Sequence, residues 1–161
     1  NNCGHFKICS NRTNGENLMA NECVFCKSVG GELLWQDALC RVVLVDDPQY
    51  VGLCRVILNE HIKEMTDLNE IERARLMRVT FAVERILRDV LQPDKINLAS
   101  LGNKTPHIHW HVIPRFKDDA YFPGSVWSTK TQETSKANVE QRIALAAKLP
   151  AAIRHEISQM Y

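Results

Sequence analysis

The stretch His107-Ile108-His109-Trp110-His111-Val112-Ile113 decides the interpretation of this 161-residue chain. Polar and apolar residues alternate along it, and successive side chains of a β-strand point to opposite faces of the sheet. As a strand, it places three histidines on one face and apolar side chains on the other, which we expect in the core. Imidazoles can act as nucleophiles, acids, bases or metal ligands. The strand is therefore predicted to carry the chemistry of the protein.

The segments around this strand predict the rest of a sheet. Residues 33–35, 40–45, 53–58 and 95–100 are short runs rich in aliphatic and β-branched side chains, which are typical of strands. The short connections between the first three runs favour antiparallel pairing, because a parallel pair needs a long crossover.

A long helix is predicted between the third and fourth of these strands. Apolar residues recur there at alternating spacings of three and four, from Leu76 to Val90. We expect Thr66 or Asp67 to cap the helix, with Glu70 placed to close a capping box from Asp67, and the helix to end before Pro93. A further helix is expected over 135–149, with a shorter one after it. The predicted fold class is α+β: an antiparallel β-sheet with a long packed helix, plus C-terminal helices.

The composition describes one globular domain without a strongly charged surface. The formal net charge is +1, and 24% of the residues are charged. This balance argues against a nucleic-acid-binding surface, and no apolar run approaches the roughly 20 residues that span a membrane. We expect a flexible N-terminal tail over 1–20, a domain over 21–127 and its C-terminal helical extension over 128–161. The polar start lacks the apolar centre of a secretory signal, which predicts a cytoplasmic protein.

The histidine stretch resembles the signature of the histidine-triad (HIT) superfamily, in which three histidines alternate with apolar residues. Asn97, the pair Gly102-Asn103 and the spacing Cys23-x-x-Cys26 fit the same family. The resemblance covers roughly residues 22–127. It implies a HIT-like α+β domain that binds a small nucleotide substrate and usually forms a homodimer.

The resemblance also implies an activity. The protein would be a nucleotide phosphohydrolase or nucleotidyl transferase, acting at the α-phosphorus of a dinucleoside polyphosphate or a nucleoside phosphoramidate. His109 would attack the phosphorus and form a covalent nucleotidyl-histidine, which water then hydrolyses. The backbone carbonyl of His107 would accept the Nδ1 proton of His109. His111 would bind the phosphate and assist the leaving group, and Asn97 would orient that group or the phosphate. No organic cofactor is expected.

The resemblance also implies further residues that would bind the nucleotide. Gly102 and Asn103 form a turn whose N–H groups would bind phosphate oxygens, although Asn is also common in turns for its own sake. The following Lys104 departs from the family, whose members often carry Ser or Gln near this point. Asp46 matches a position that contacts the ribose in related proteins, and Asp46-Asp47-Pro48 is equally typical of a turn.

A structural zinc site is the last implication of the resemblance. In zinc-containing members, a cysteine pair joins a histidine after the second strand and the first histidine of the triad. The corresponding residues are Cys23, Cys26, His61 and His107, which would form a closed four-ligand site. The alternative interpretation of the two cysteines is a pair of reduced, partly buried thiols.

The residues also allow two other classes of function. His107, His109 and His111 could together bind the metal ion of a metal-dependent hydrolase or oxygenase. Activity that a chelator removes and a particular ion restores would indicate that class. The protein could also be a nucleotide-binding sensor or scaffold without turnover.

Overall fold

Five antiparallel strands form one sheet in the order β1-β2-β3-β5-β4. The computed structural model describes residues 22–160, so the predicted tail over 1–20 lies outside the described residues. The strands are β1 (Glu32–Gln36), β2 (Cys40–Leu44), β3 (Cys54–Leu58), β4 (Lys95–Ala99) and β5 (His109–Arg115). Within residues 22–160 four α-helices accompany them: α1 (Val24–Lys27), α2 (Glu70–Leu91), α3 (Lys136–Ala146) and α4 (Leu149–Ser158). The predicted α+β fold is confirmed.

One face of the sheet is covered by α2 and α4. Buried aliphatic side chains of α2 and α4 form a single core with Val56 of β3 and Val112 of β5. Ile108 and Val112, which the alternation assigns to the core, are buried, whereas Trp110 is half-buried. The C-terminal helix thus shares the core of the sheet. No helix within residues 22–160 is both long and apolar enough to cross a membrane.

The start of α2 differs from the prediction. Its capping box joins Asn69 and Glu72: the Asn69 side chain accepts from the Glu72 N–H at 2.9 Å, and the Glu72 carboxylate accepts from the Asn69 N–H at 3.1 Å. Residues Met65–Asp67 form a short 3-10 turn instead. Buried Leu68 follows in an extended conformation, so the helix begins only after this anchor. The helix ends at Leu91, before Pro93 as predicted.

The other face of the sheet carries the histidines beside a small apolar cluster that includes Val43 and Ile57. In the strand register His111 lies opposite Arg55 of β3 and Ala99 of β4, and His109 lies opposite Ile57. Directly opposed residues of an antiparallel pair share a face. The hydrogen-bonded strand begins at His109, two residues later than predicted, because the N–H of His107 bonds to the carbonyl of Thr105 in the preceding turn.

Candidate functional site

His109 is held by the backbone of its own chain. It is buried, and its Nδ1 lies 2.6 Å from the carbonyl oxygen of His107. A carbonyl only accepts, so Nδ1 carries the proton and Nε2 keeps its lone pair. Burial lowers the pKa of His109, which favours the neutral imidazole. The site therefore contains a neutral, oriented nitrogen base, in the tautomer expected from the sequence.

His111 lies beside His109 on the same face. The ring centroids of the two imidazoles are 5.0 Å apart. The indole of Trp127 meets the His111 ring edge to face, with centroids 5.7 Å apart. Burial is the main cause that lowers the pKa of His111 to about 4. Both imidazoles are thus neutral near pH 7 in the ligand-free protein.

A cavity of about 340 Å³ opens next to these two histidines. Its remaining walls are Trp127 and the turn between β4 and β5, formed by Leu101, Gly102, Asn103, Lys104 and Thr105. Gly102 has a φ of +119°, a conformation that glycine adopts without strain. The structure therefore brings together His109, His111, Gly102 and Asn103, four of the residues predicted from the sequence.

His107 faces a different environment. Its Nε2 lies 2.7 Å from the carbonyl oxygen of Leu58, and its Nδ1 lies 3.4 Å from Cys23 Sγ, 3.6 Å from Cys26 Sγ and 3.3 Å from His61 Nδ1. The ligand atoms of all four residues lie within 4.8 Å of one another. His61 follows β3, the third strand and not the second.

The spacing of these four atoms fits a tetrahedral metal ion. With metal–nitrogen bonds of about 2.05 Å and metal–sulfur bonds of about 2.3 Å, a tetrahedron has N···N edges of about 3.3 Å and N···S edges of about 3.6 Å. The observed N···N distance is 3.3 Å, and the N···S distances are 3.4 to 3.6 Å. The Leu58 carbonyl would orient the His107 ring through Nε2–H, as is usual for metal-bound histidine.

Asn97 is hydrogen-bonded to a buried ion pair. Its Oδ1 accepts from Arg115 Nη1 at 2.8 Å, and Arg115 also makes two hydrogen bonds to the carboxylate of Asp119, at 2.7 and 3.0 Å. Arg115 Nη2 donates to the carbonyl of Gly124, in the segment that leads to Trp127. The bond to Arg115 fixes the rotamer of the Asn97 amide, so its NH₂ remains available as a donor.

Asp46 is not brought to this cavity. It is exposed and borders another one, between the β2–β3 loop and the C-terminal helices, together with Gly52 and Pro150. The predicted contact of Asp46 with a ribose stays a prediction.

Sequence reasoning missed three side chains beside the triad. Phe25 of α1 places its ring 4.7 Å from that of His109. Arg55 lies opposite His111, and Arg115 holds Asn97. A signal was present for Arg55, because a charged residue in the middle of an apolar strand indicates that one face of this strand is not ordinary core.

Comparison with known proteins gives consistent matches. The family model of the HIT domain matches residues 28–118. An uncharacterized HIT-like protein of Borreliella burgdorferi is 30% identical over 111 residues, which cover 62% of this chain and 80% of that protein. An AP-4-A phosphorylase of Mycobacterium tuberculosis is 31% identical over 98 residues, 57% of this chain, but the match spans only 50% of that enzyme.

A solved structure supports the fold. The crystal structure of a histidine triad protein from Bradyrhizobium japonicum superposes with a TM-score of 0.61 at 28% sequence identity. The match covers 78% of this chain and 91% of that one.

Proposed function

The chain belongs to the HIT family, and on that premise we propose that it hydrolyses or transfers a nucleotidyl group through a covalent intermediate on His109. The bond that breaks is the one between the α-phosphorus and the leaving group of a dinucleoside polyphosphate or a nucleoside phosphoramidate. The relative named AP-4-A phosphorylase supports nucleotide processing as the general activity. The observation that carries the proposal is the 2.6 Å contact between His109 Nδ1 and the His107 carbonyl, which leaves Nε2 as the nucleophile.

The proposed reaction has two displacements. His109 Nε2 forms a bond to the α-phosphorus, the bond to the leaving group breaks, and the leaving group takes a proton from His111. Water then attacks the same phosphorus, returns a proton to His111 and releases His109. A bound phosphate raises the pKa of a nearby imidazole, so His111 can hold this proton only when substrate is present.

Two groups are suited to bind the phosphate oxygens or the leaving group. The Gly102-Asn103 turn borders the cavity and presents backbone N–H groups. Asn97 lies on β4, on the same face of the sheet as His111, with its NH₂ available. We propose that the turn binds the phosphate and that Asn97 orients the leaving group. Asp46 has no part in this proposal.

A metal-dependent reaction on the three histidines is less well supported. Both ring nitrogens of His107 are already engaged, Nε2 by the Leu58 carbonyl and Nδ1 by the Cys23–Cys26–His61 cluster. Neither nitrogen is left to join His109 and His111 around one ion.

We propose that zinc occupies the cluster of Cys23, Cys26, His61 and His107. Two thiolates and two imidazoles in tetrahedral spacing are a donor set typical of structural zinc. The ion would contribute stability and hold α1 against the start of β5. We also propose a homodimer, which the molar mass in solution tests. A cytoplasmic location stays a prediction.

The turnover of diadenosine tetraphosphate and of adenosine phosphoramidate tests the proposed activity. The wild-type protein is expected to release AMP, which chromatography of the products detects. His109→Ala should lower the rate roughly a thousandfold or more, because the nucleophile is lost. His155→Ala removes an exposed histidine of α4 and should keep the wild-type rate. A sensor would bind AMP without turnover, and an active His109→Ala would exclude the covalent route.

A further inference from the structure

Arg55 is a charged residue in the middle of an otherwise apolar strand. Its neighbours Cys54 and Val56 are fully buried in the core on the opposite face. Arg55 itself pairs with His111 in the register of β3 and β5, so both side chains leave the sheet on the same face. The arginine therefore lies on the face of the sheet that carries His109 and His111, on the neighbouring strand.

Most hydrogen-bond donors of this guanidinium are unused. Nη1 donates to the carbonyl of Gly30 at 3.2 Å, and the guanidinium carbon lies 5.8 Å from the centre of the Phe25 ring. Nε is buried and has no hydrogen-bond partner in the part of the chain that the structure describes. Arginine has five N–H donors, so one carbonyl leaves most of them available.

The charge of Arg55 also lacks a neutralising partner. Within residues 22–160 no carboxylate forms a salt bridge with it, and Asp47 acts on it only at longer range. Burial lowers the pKa of Arg55, which reflects the cost of taking its charge out of water. A partly buried cation without a counter-ion favours the binding of an anion.

We propose that Arg55 binds the phosphoryl group that His109 attacks, with its guanidinium donating to a non-bridging oxygen of the α-phosphate. This inference rests on the proposed function, because it concerns the same phosphoryl group. A guanidinium is planar and presents paired donors that match phosphate oxygens.

The topology places Arg55 and the phosphate-binding turn on opposite sides of β5. Arg55 belongs to β3, one neighbour of β5, and the Gly102-Asn103 turn connects β5 with β4, its other neighbour. A phosphate at His109 therefore lies between a set of neutral N–H donors and a full positive charge. The charge stabilises the phosphoryl oxygens as negative charge accumulates on them during the displacement.

Binding of AMP and of adenosine separates a phosphate contact from a structural role. We expect Arg55→Leu to weaken AMP binding roughly ten- to a hundredfold, the range for a lost hydrogen bond to a charged group, while adenosine binds unchanged. Arg55→Lys keeps the charge but not the paired donors, so its affinity for AMP should lie between those of the wild type and Arg55→Leu. Arg78→Leu removes a charge from the exposed surface of α2 and should bind both ligands normally. Isothermal titration calorimetry measures the affinities of the wild type and these three variants for both ligands.

Four outcomes would overturn the inference. Normal AMP binding by Arg55→Leu contradicts it and leaves the proposed function intact. An equal loss of AMP and adenosine affinity indicates a structural or nucleoside-binding role instead. If Arg55→Leu does not fold, Arg55→Gln takes its place, and normal AMP binding by a folded Arg55→Gln contradicts the phosphate contact. A wild-type protein that binds neither ligand overturns the proposed function together with this inference.

Discussion

His109 and His111 are adjacent on one strand face but are held by different means. A backbone carbonyl fixes the proton of His109, whereas His111 is set by the packing of its ring against His109 and Trp127. The first arrangement leaves His109 with one unprotonated nitrogen, which the proposed role as nucleophile requires. The second leaves His111 free to exchange a proton with a leaving group.

The pH dependence of kcat/KM is predicted from the burial of these residues. Burial lowers the pKa of His111 to about 4 and also lowers that of His109. An imidazole with a lowered pKa takes up a proton only at lower pH, so His111 of the free enzyme is almost entirely neutral between pH 7 and about pH 5. Because the proposed reaction needs a proton on His111 that the free enzyme lacks at pH 7, we expect kcat/KM for diadenosine tetraphosphate to rise as the pH falls below 7, until protonation of His109 removes the nucleophile. A fall centred near the ordinary histidine pKa of about 6.5 would contradict this account.

At the scale of the elements, local patterns predicted the strands and the long helix. Alternation placed the histidines of β5 on one face, and the spacing of apolar residues from Leu76 to Val90 predicted the body of α2. Their ends depended on tertiary contacts. Asp67 had the right residue type for a cap, but buried Leu68 holds the chain extended and moves the cap to Asn69.

Local sequence patterns could predict the residues of the cavity beside His109 only where these residues are close in sequence. His109, His111 and the Gly102-Asn103 turn lie within one segment of the chain, and the cavity brings them together. Arg55 joins them only through the register of β3 and β5, which no local pattern reveals. Asp46 is not among the residues that line this cavity, so its contact with a ribose stays a prediction.

At the scale of the whole molecule, the cysteine and histidine cluster joins distant parts of the chain. Cys23 and His107 are 84 positions apart and have their ligand atoms 3.4 Å apart. The contacts would hold α1 next to His109, since Phe25 lies in the same short helix. The division into residues 21–127 and 128–161 stays a prediction, although Ile153 and Ile157 of α4 lie in the core of the sheet.

Metal content and thermal stability test the zinc site. We expect about one zinc ion per chain, because the four ligands form one closed site. Removing zinc should lower Tm by about 10 °C, the effect of losing a ligand present at roughly 1,000 times its Kd. Cys26→Ser should lose the metal, and Cys54→Ala, which changes a buried cysteine outside the cluster, should retain it. Elemental analysis that finds no stoichiometric zinc in protein purified without chelator would exclude the site.

The covalent intermediate on His109 is the central claim, and peptide mass spectrometry tests it most directly. The protein is mixed with excess diadenosine tetraphosphate, quenched in denaturant at alkaline pH to preserve the phosphorus–nitrogen bond, and digested. We predict an adenylyl group on His109 in the wild-type protein and none in His109→Ala. Turnover without any adduct on His109, or an adduct on His111 instead, would contradict the account.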